Sequence, residues 1–369
     1  MSLVTSKGAI SQGTAKNLLL TQIKTTITGV FPTEANASAA TVMTDELRRK
    51  ILDILVSFSE QIPHPASGTN GSGSQTLIRW QILAFVAGLD LTIAKWFESH
   101  LDAFSILKEV GDIKAQGLWA VWAAEGHPDP IRFESGKIFG TKAWCSGANM
   151  VDFGLLTYRD DAGQSQLVMV DMAQSGIAID NGAWQAVGMQ ATDTATVQFH
   201  GVPARLVGSP NAYLDRFGFW HGAAGVAACW FGATTAIADY LLTAFAKKPN
   251  PFKAMYLGQI ATALAVNQQY FYDVADLIDT KPNSNHELMI RQLRANTEQV
   301  ARQALDTVGQ ALGAAPFCTQ AHFARLSADL TVFIRQSHGA FDWQRIGELS
   351  AQSQKALGSN EHQERLWQL

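Results

Sequence analysis

Apolar residues recur at helical spacing near both ends of the chain and at strand spacing in its middle. Between residues 75 and 110 they lie three or four positions apart, which predicts helix, with Gly88 as a candidate break and Gly111 as its end. A shorter helix is predicted over 44–58. The segment 63–74 is dense in Pro, Gly and Ser, which predicts a loop, either simply mobile or acting as a cover over a substrate.

The pattern changes to short strands at Leu118. Strands are predicted over 119–124, 131–134, 137–144, 151–158, 166–172, 176–187 and 194–200. The connections between them are short, which favours antiparallel pairing in a small barrel or sandwich. The first strand, 119–124, lacks polar alternation, so we expect it to be buried on both faces.

Helical spacing returns after Gly208. Long helices are predicted over 213–246, 254–280, 284–312, 320–336 and 342–356. Short joins between long helices are typical of an up-and-down bundle. The predicted class is therefore α+β and mainly α, with an N-terminal helical domain (1–117), a central β domain (118–208) and a C-terminal helical bundle (209–369).

Composition excludes several functional classes. The 369 residues are 47% hydrophobic and 16% charged with a net charge of −4, so no basic surface for nucleic acid is expected. Three widely spaced cysteines argue against a disulfide framework or a cysteine zinc site, and no signal peptide is recognised, so a cytoplasmic protein without a metal is predicted. The stretch 223–246 is long enough to span a membrane, but its alanines, threonines and Asp239 favour a buried bundle helix.

Three stretches carry more specific information: GKIFGTKAWCSGA at 136–148, GMQATDTATVQFHGVP at 188–203 and VGQALGAAPF at 308–317. With the helix–strand–helix order, they resemble segments of the acyl-CoA dehydrogenase superfamily. The resemblance runs from about Gln75 to Leu349, whereas 1–74 matches poorly. It implies an FAD cofactor held between the β domain and the bundle.

The resemblance also assigns residues to the flavin ring. Trp144 would form an aromatic wall and Ser146 would donate a hydroxyl hydrogen near the flavin N5 atom. Trp122, Ala123 and Ala124 would line the polar edge of the ring through main-chain groups, although most relatives carry Thr or Ser at position 124. Considered without the resemblance, Trp144 is a core residue and Ser146 merely ends a strand.

The remainder of FAD would be held by the bundle, in part from a second subunit. Lys248 stands where the family has an arginine for the pyrophosphate, and a lysine lacks the guanidinium fork. Gln310 and Gly313 would receive the cofactor across a dimer, so a homodimer or homotetramer is expected. The alternatives are a solvated loop lysine and a glycine that simply ends a helix.

The expected catalytic glutamate is missing. The family's base position falls within 335–339, and its alternative position falls near His221; neither carries a carboxylate. His338, with Ser337 beside it, is the predicted catalytic residue, and Asp342 could orient it. Glu98 and His100 lie in a predicted helix, where the ordinary interpretation is a polar face.

Three functions follow from these observations. The first is an FAD-dependent oxidoreductase acting on a CH–CH bond of a small-molecule substrate, with an acyl-CoA thioester as the candidate and a non-standard base. The second is a flavin monooxygenase of the same fold, which the missing glutamate favours. The third is a catalytically silent homologue with a binding role.

Overall fold

The computed structural model of the chain describes residues 18–30, 43–70, 73–111 and 113–356. The remaining parts of the predicted terminal domains, at 1–17, 31–42 and 357–369, lie outside the described residues. The helices are α1 (Leu18–Thr28), α2 (Asp45–Ser57), α3 (Gln75–Leu89), α4 (Leu91–Ile106), α5 (Ala212–Asp215), α6 (Gly218–Lys247), α7 (Pro251–Thr280), α8 (Glu287–Leu312), α9 (Ala315–Thr319), α10 (Ala321–Phe333) and α11 (Ala340–Ala356).

Among the described residues, ten strands lie between α2 and α5, and those from β3 to β9 fall close to predicted positions. They are β1 (Thr69–Asn70), β2 (Gly73–Ser74), β3 (Trp119–Trp122), β4 (Arg132–Glu134), β5 (Lys137–Cys145), β6 (Phe153–Arg159), β7 (Ser165–Asp171), β8 (Ile177–Asp180), β9 (Ala195–Pro203) and β10 (Arg205–Val207). The predicted strand 176–187 is too long, because a turn begins after Asp180. The predicted loop 63–74 contains the β1–β2 hairpin, and β10 was not predicted.

Two four-stranded sheets form the β region, in the orders β10-β7-β6-β3 and β4-β5-β9-β8. Most pairs are antiparallel, as predicted, but β3 pairs with β6 in parallel. Strand β3 is buried almost throughout, which confirms the expectation from its apolar sequence. It lies at the edge of its sheet and runs into the site described below.

The predicted break in the long N-terminal helix occurs at Asp90. Its carboxylate accepts a hydrogen bond from the Ile93 amide at 3.1 Å and so caps α4. The same carboxylate lies 3.1 Å from Arg48 on α2 and 3.3 Å from Arg325 on α10. This buried cluster therefore holds the N-terminal helices against the bundle.

Helix α6 is the central helix of the bundle. Among the described residues it alone is long and apolar enough to cross a membrane, and 61% of its apolar window is buried. It packs closely on α3, because a Cβ on Gly232 would lie only 2.0 Å from the Ala84 carbonyl oxygen. This burial is what the predicted core helix requires.

The β region joins the bundle through the second of the three sequence stretches. A Cβ on Gly188 would lie 2.1 Å from the Ala328 carbonyl oxygen, so only glycine permits this approach to α10. The next residue, Met189, donates its amide hydrogen to the Asp329 carboxylate at 2.5 Å. Burial raises the pKa of Asp329 to about 6. These contacts bring α10 against the β region and close one side of a cavity.

Candidate functional site

A cavity of about 810 Å³ opens where the β region meets the bundle. Its β side is formed by the predicted residues Trp122, Ala123, Ala124, Trp144 and Ser146. Its helical side comes from α4, α5, α6, α8 and α10, and the predicted His338 lies on the lining. Six of the ten predicted site residues therefore meet at one cavity.

Trp144 has an unusual backbone and is not a core residue. Its φ is 62°, in the left-handed region, and the pairing of β5 with β9 shifts register between Lys142 and Cys145. A bulged residue with positive φ is costly for a large side chain, so such positions concentrate at functional sites. The indole is 62% exposed and lies edge-on to Trp184, with ring centroids 6.0 Å apart. The core interpretation of Trp144 is wrong.

A chain of three hydroxyl groups runs beside Trp144. Thr192 donates its hydroxyl hydrogen to the Met189 carbonyl oxygen at 2.7 Å and lies 2.8 Å from the Thr194 hydroxyl. Thr194 lies 2.9 Å from the Ser146 hydroxyl. A hydroxyl has one hydrogen, so Thr194 donates to Thr192 and Ser146 donates to Thr194. In this arrangement Ser146 offers the cavity an acceptor oxygen, whereas the sequence had suggested a donor.

The end of β3 is held by a buried lysine. Lys142 donates from Nζ to the Thr157 carbonyl oxygen at 2.6 Å, and the Thr157 hydroxyl donates to the Ala123 carbonyl oxygen at 3.1 Å. Burial lowers the pKa of Lys142 to about 8. The Trp122 indole nitrogen donates to the Ser146 carbonyl oxygen at 3.1 Å, so the β3 and β5 parts of the site are linked directly.

His338 lies on the exposed rim of the cavity, in the turn between α10 and α11. Its backbone amide donates to the Asp342 carboxylate at 3.0 Å, and that carboxylate also pairs with Arg291. Asp342 therefore caps α11, and the prediction that it orients the imidazole is wrong. Ser337 does not line the cavity; its hydroxyl accepts from the Gly339 amide at 3.3 Å.

The three residues predicted for the distal part of FAD lie away from the cavity lining. Lys248 is exposed at the C-terminus of α6, and Gly313, with φ of 68°, ends α8. Gln310 is exposed and donates to Asp306 on its own helix at 2.9 Å. Their predicted role across a dimer stays a prediction.

The helical side of the cavity contains charged groups that the sequence did not single out. Glu98 is only 6% exposed, and His100 is fully buried between Ser59 and the Trp119 amide, so the polar-face interpretation of both is wrong. Burial raises the pKa of Glu98 to about 7 and lowers that of His100 to about 4. The available signal was the carboxylate pair Glu98 and Asp102, four residues apart on one face of an apolar helix.

Arg216 lies beside that carboxylate pair. It is buried and lies 3.6 Å from Asp102 and 3.1 Å from Glu109. Its Nε atom is buried without a hydrogen-bond partner, as is the indole nitrogen of Trp184. Both residues line the cavity, so two buried donors there lack acceptors.

The architecture matches solved structures over nearly its full length. The FMN-bound protein TdsC of Paenibacillus sp. A11-2, a dibenzothiophene monooxygenase, superposes with a TM-score of 0.69 at 18% identity, covering 90% of this chain and 95% of TdsC. Butyryl-CoA dehydrogenase of Megasphaera elsdenii gives 0.70 at 14% identity, with 90% and 96% covered. This chain has the acyl-CoA dehydrogenase fold. The prediction of that fold from the sequence is confirmed.

Sequence similarity to curated proteins is local. Dibenzothiophene monooxygenases of Rhodococcus erythropolis and Rhodococcus qingshengii are 34% identical over 88 residues, which is 21% of this chain. The matched part is 20% of the length of each relative. No protein-family model matches the sequence. A further structure of TdsC is a complex with FMN and indole.

Within the acyl-CoA dehydrogenase fold, this cavity fits a flavin. Its volume lies toward the upper end of the range of about 300–1,000 Å³ for small-molecule sites. The exposed Trp144 indole provides an apolar face for a planar ring, and Ser146 provides a polar atom beside it.

Proposed function

We propose that the protein is a flavin-dependent monooxygenase that receives FMN in its reduced form. The observation that carries the proposal is the hydroxyl chain from Thr192 through Thr194 to Ser146. It leaves Ser146 as an acceptor beside the Trp144 wall. Reduced flavin carries a hydrogen on N5 and oxidised flavin does not, so an acceptor there favours the reduced form.

FMN is favoured over the predicted FAD by the residues outside the cavity. A lysine replaces the expected arginine at position 248, and Ala314 replaces the second glycine of the turn that would receive the cofactor. The solved structures of similar architecture include FMN complexes of TdsC. FMN lacks the adenosine part of FAD, so a protein that binds FMN does not need the family's residues at these positions.

The reaction then balances with O₂ as co-substrate. If reduced FMN is bound, it would supply the two electrons with which one atom of O₂ enters the substrate and the other leaves as water. The exposed imidazole of His338 gives or takes a proton at the rim. Trp144 holds the ring face, and the apolar side chains of the cavity exclude bulk water from the substrate.

The test is an anaerobic titration of the purified protein with FMN and FAD, each oxidised and reduced. We expect reduced FMN to bind about tenfold more tightly than oxidised FMN, because an unmatched polar contact costs roughly 1–3 kcal/mol. Ser146→Ala should remove most of that preference. Ser353→Ala, outside the cavity lining, is the control. Absence of flavin binding in both redox states would refute the proposal.

A dehydrogenase acting on an acyl thioester is the second candidate. Glu98 favours it, because a buried carboxyl with a pKa of about 7 suits a general base. Anaerobic addition of acyl-CoAs to protein loaded with oxidised flavin separates the two functions. Bleaching of the flavin indicates dehydrogenation, whereas unchanged absorbance supports the monooxygenase.

A further inference from the structure

The carboxyl group of Glu98 has an unusual position in the helical part of the cavity. It lies on the lining and is 6% exposed, yet its nearest ion-pair partner among the described residues is Lys95, at 3.8 Å. Among the described residues no hydrogen bond reaches its oxygens, and its pKa is shifted by burial and by neighbouring charges alone. Buried carboxyl groups are normally hydrogen-bonded, so a donor on a ligand would satisfy this one.

The neighbouring carboxylate has a guanidinium partner. Asp102 lies 3.6 Å from the buried Arg216, which also holds Glu109 at 3.1 Å. Arg294, on the other side, donates to the Ala223 carbonyl oxygen and stacks on Trp230 with its guanidinium carbon 4.8 Å from the ring centroid. Glu98 is the more buried of the two carboxyl groups, and its ion pair is the longer one, with Lys95.

The cavity lining also contains apolar and aromatic side chains from several elements. They include Val121, Tyr213, Leu214, Phe219 and Val226. Tyr213 and Phe219 are themselves in edge contact, with ring centroids 5.4 Å apart. The cavity thus places apolar and aromatic side chains beside the Glu98 carboxyl group, which suits a ring compound that carries a polar hydrogen.

We propose that Glu98 accepts a hydrogen bond from an N–H or O–H group of an aromatic substrate and so selects substrates that carry such a donor. The assignment deepens the proposed monooxygenase function and rests on it. Glu98 becomes a recognition residue: it holds the polar edge of the ring while the remainder lies among the apolar side chains.

Several charged or titratable groups surround Glu98 from the elements packed on it. They are Lys95 and Asp102 on α4, Arg79 on α3, Cys229 on α6 and Arg294 on α8. Burial raises the pKa of Glu98, Asp102 raises it further, and Lys95, Arg79 and Arg294 oppose the shift. The carboxylate, which is the stronger acceptor, therefore accumulates as the pH rises through about 7.

The experiment uses the full chain without flavin, so that its result does not depend on cofactor binding. Indole and benzothiophene have the same ring outline, but indole has an N–H where benzothiophene has a sulfur. At pH 8 we expect indole to bind about tenfold more tightly, measured by calorimetry, because benzothiophene leaves Glu98 unpartnered. At pH 6 the preference should shrink to about threefold as the carboxyl becomes protonated.

Variants at Glu98 complete the test. Glu98→Leu should abolish the preference for indole, whereas Glu98→Gln keeps an acceptor oxygen and should retain a pH-independent part of it. Glu46→Leu, at an exposed position on α2, is the control. The proposal would be overturned if the wild type bound indole and benzothiophene with equal affinity or bound neither of them. It would also be overturned if Glu98→Leu kept the preference for indole. If the protein bound no flavin but still preferred indole, the monooxygenase function would be refuted. The recognition role of Glu98 would then remain supported.

Discussion

The two sides of the cavity differ in how their residues reach it. The β side comes from the stretch around Trp144 and Ser146, the end of β3, and residues farther along the β region such as Trp184 and Thr194. The helical side is assembled from α4, the α5–α6 corner and the turn after α10, and it contains Glu98, Arg216 and His338. The β side presents an aromatic face and hydroxyls, whereas the helical side presents buried charges. An aromatic surface with hydroxyl groups and a pocket with buried charges thus lie in one cavity.

The largest effect is expected where the two sides are joined, at Gly188. A side chain there would strike the Ala328 carbonyl oxygen, because a Cβ would lie only 2.1 Å away. Gly188→Val should lower the free energy of unfolding by about 4 kcal/mol and abolish ligand binding on both sides. Urea denaturation and flavin titration measure the two effects. Gly258→Ala on α7, where a Cβ meets no atom within 4 Å, should be neutral or stabilising.

The buried Glu98 carboxyl group on the helical side should make the free energy of unfolding depend on pH. The pKa of Glu98 is raised from 4.5 to about 7 in the folded protein, so its contribution to stability is lost as the pH rises between these values. In Glu98→Gln no group ionises at this position, so the variant does not lose stability in this way as the pH rises. Relative to the wild type, the variant should gain about 2 kcal/mol in unfolding free energy between pH 5 and pH 8.

Urea denaturation at both pH values provides that measurement. Glu46→Gln, an exposed change on α2, should track the wild type. A constant difference between Glu98→Gln and the wild type across this pH range would contradict the burial of a neutral carboxyl on the helical side.

The β side should respond in binding and not in stability. Trp144 is 62% exposed, so Trp144→Ala removes little buried surface. Stacking of a planar heterocycle on an aromatic side chain contributes about 1–3 kcal/mol, so flavin affinity should fall about tenfold or more. Fluorescence titration with FMN and a thermal melt separate the two quantities. Trp343→Ala, exposed but outside the cavity lining, should leave FMN affinity unchanged.

The smallest effect is expected for Lys248 and Gln310, which the sequence predicted as cofactor contacts but which lie outside the cavity lining. Lys248→Ala and Gln310→Ala should change FMN affinity by less than about twofold, since exposed polar contacts are worth little. The same variants should be assayed with FAD and by light scattering for oligomeric state. FAD that binds more tightly than FMN, and loses affinity in these variants, would restore the FAD prediction and its partner-subunit contacts.

The predicted residues of the β side lie at the cavity, whereas two acidic side chains elsewhere were misassigned. Trp144 and Ser146 belong to one contiguous motif, and both lie at the cavity as predicted. Glu98 was misassigned because helical spacing shows which face is apolar but not which element will cover the polar residues. Asp342 was misassigned because its carboxylate caps the backbone of its own turn. The helices and most strands were found because each period is set locally.

Local periodicity and side-chain chemistry were enough to predict the order of helices and strands, the burial of β3 and α6, and the aromatic and hydroxyl residues of the β side. They did not predict that Glu98 lines the cavity or that Ser146 presents an acceptor instead of a donor. Burial and the direction of a hydroxyl hydrogen depend on neighbours from distant parts of the chain, whose positions no local pattern specifies.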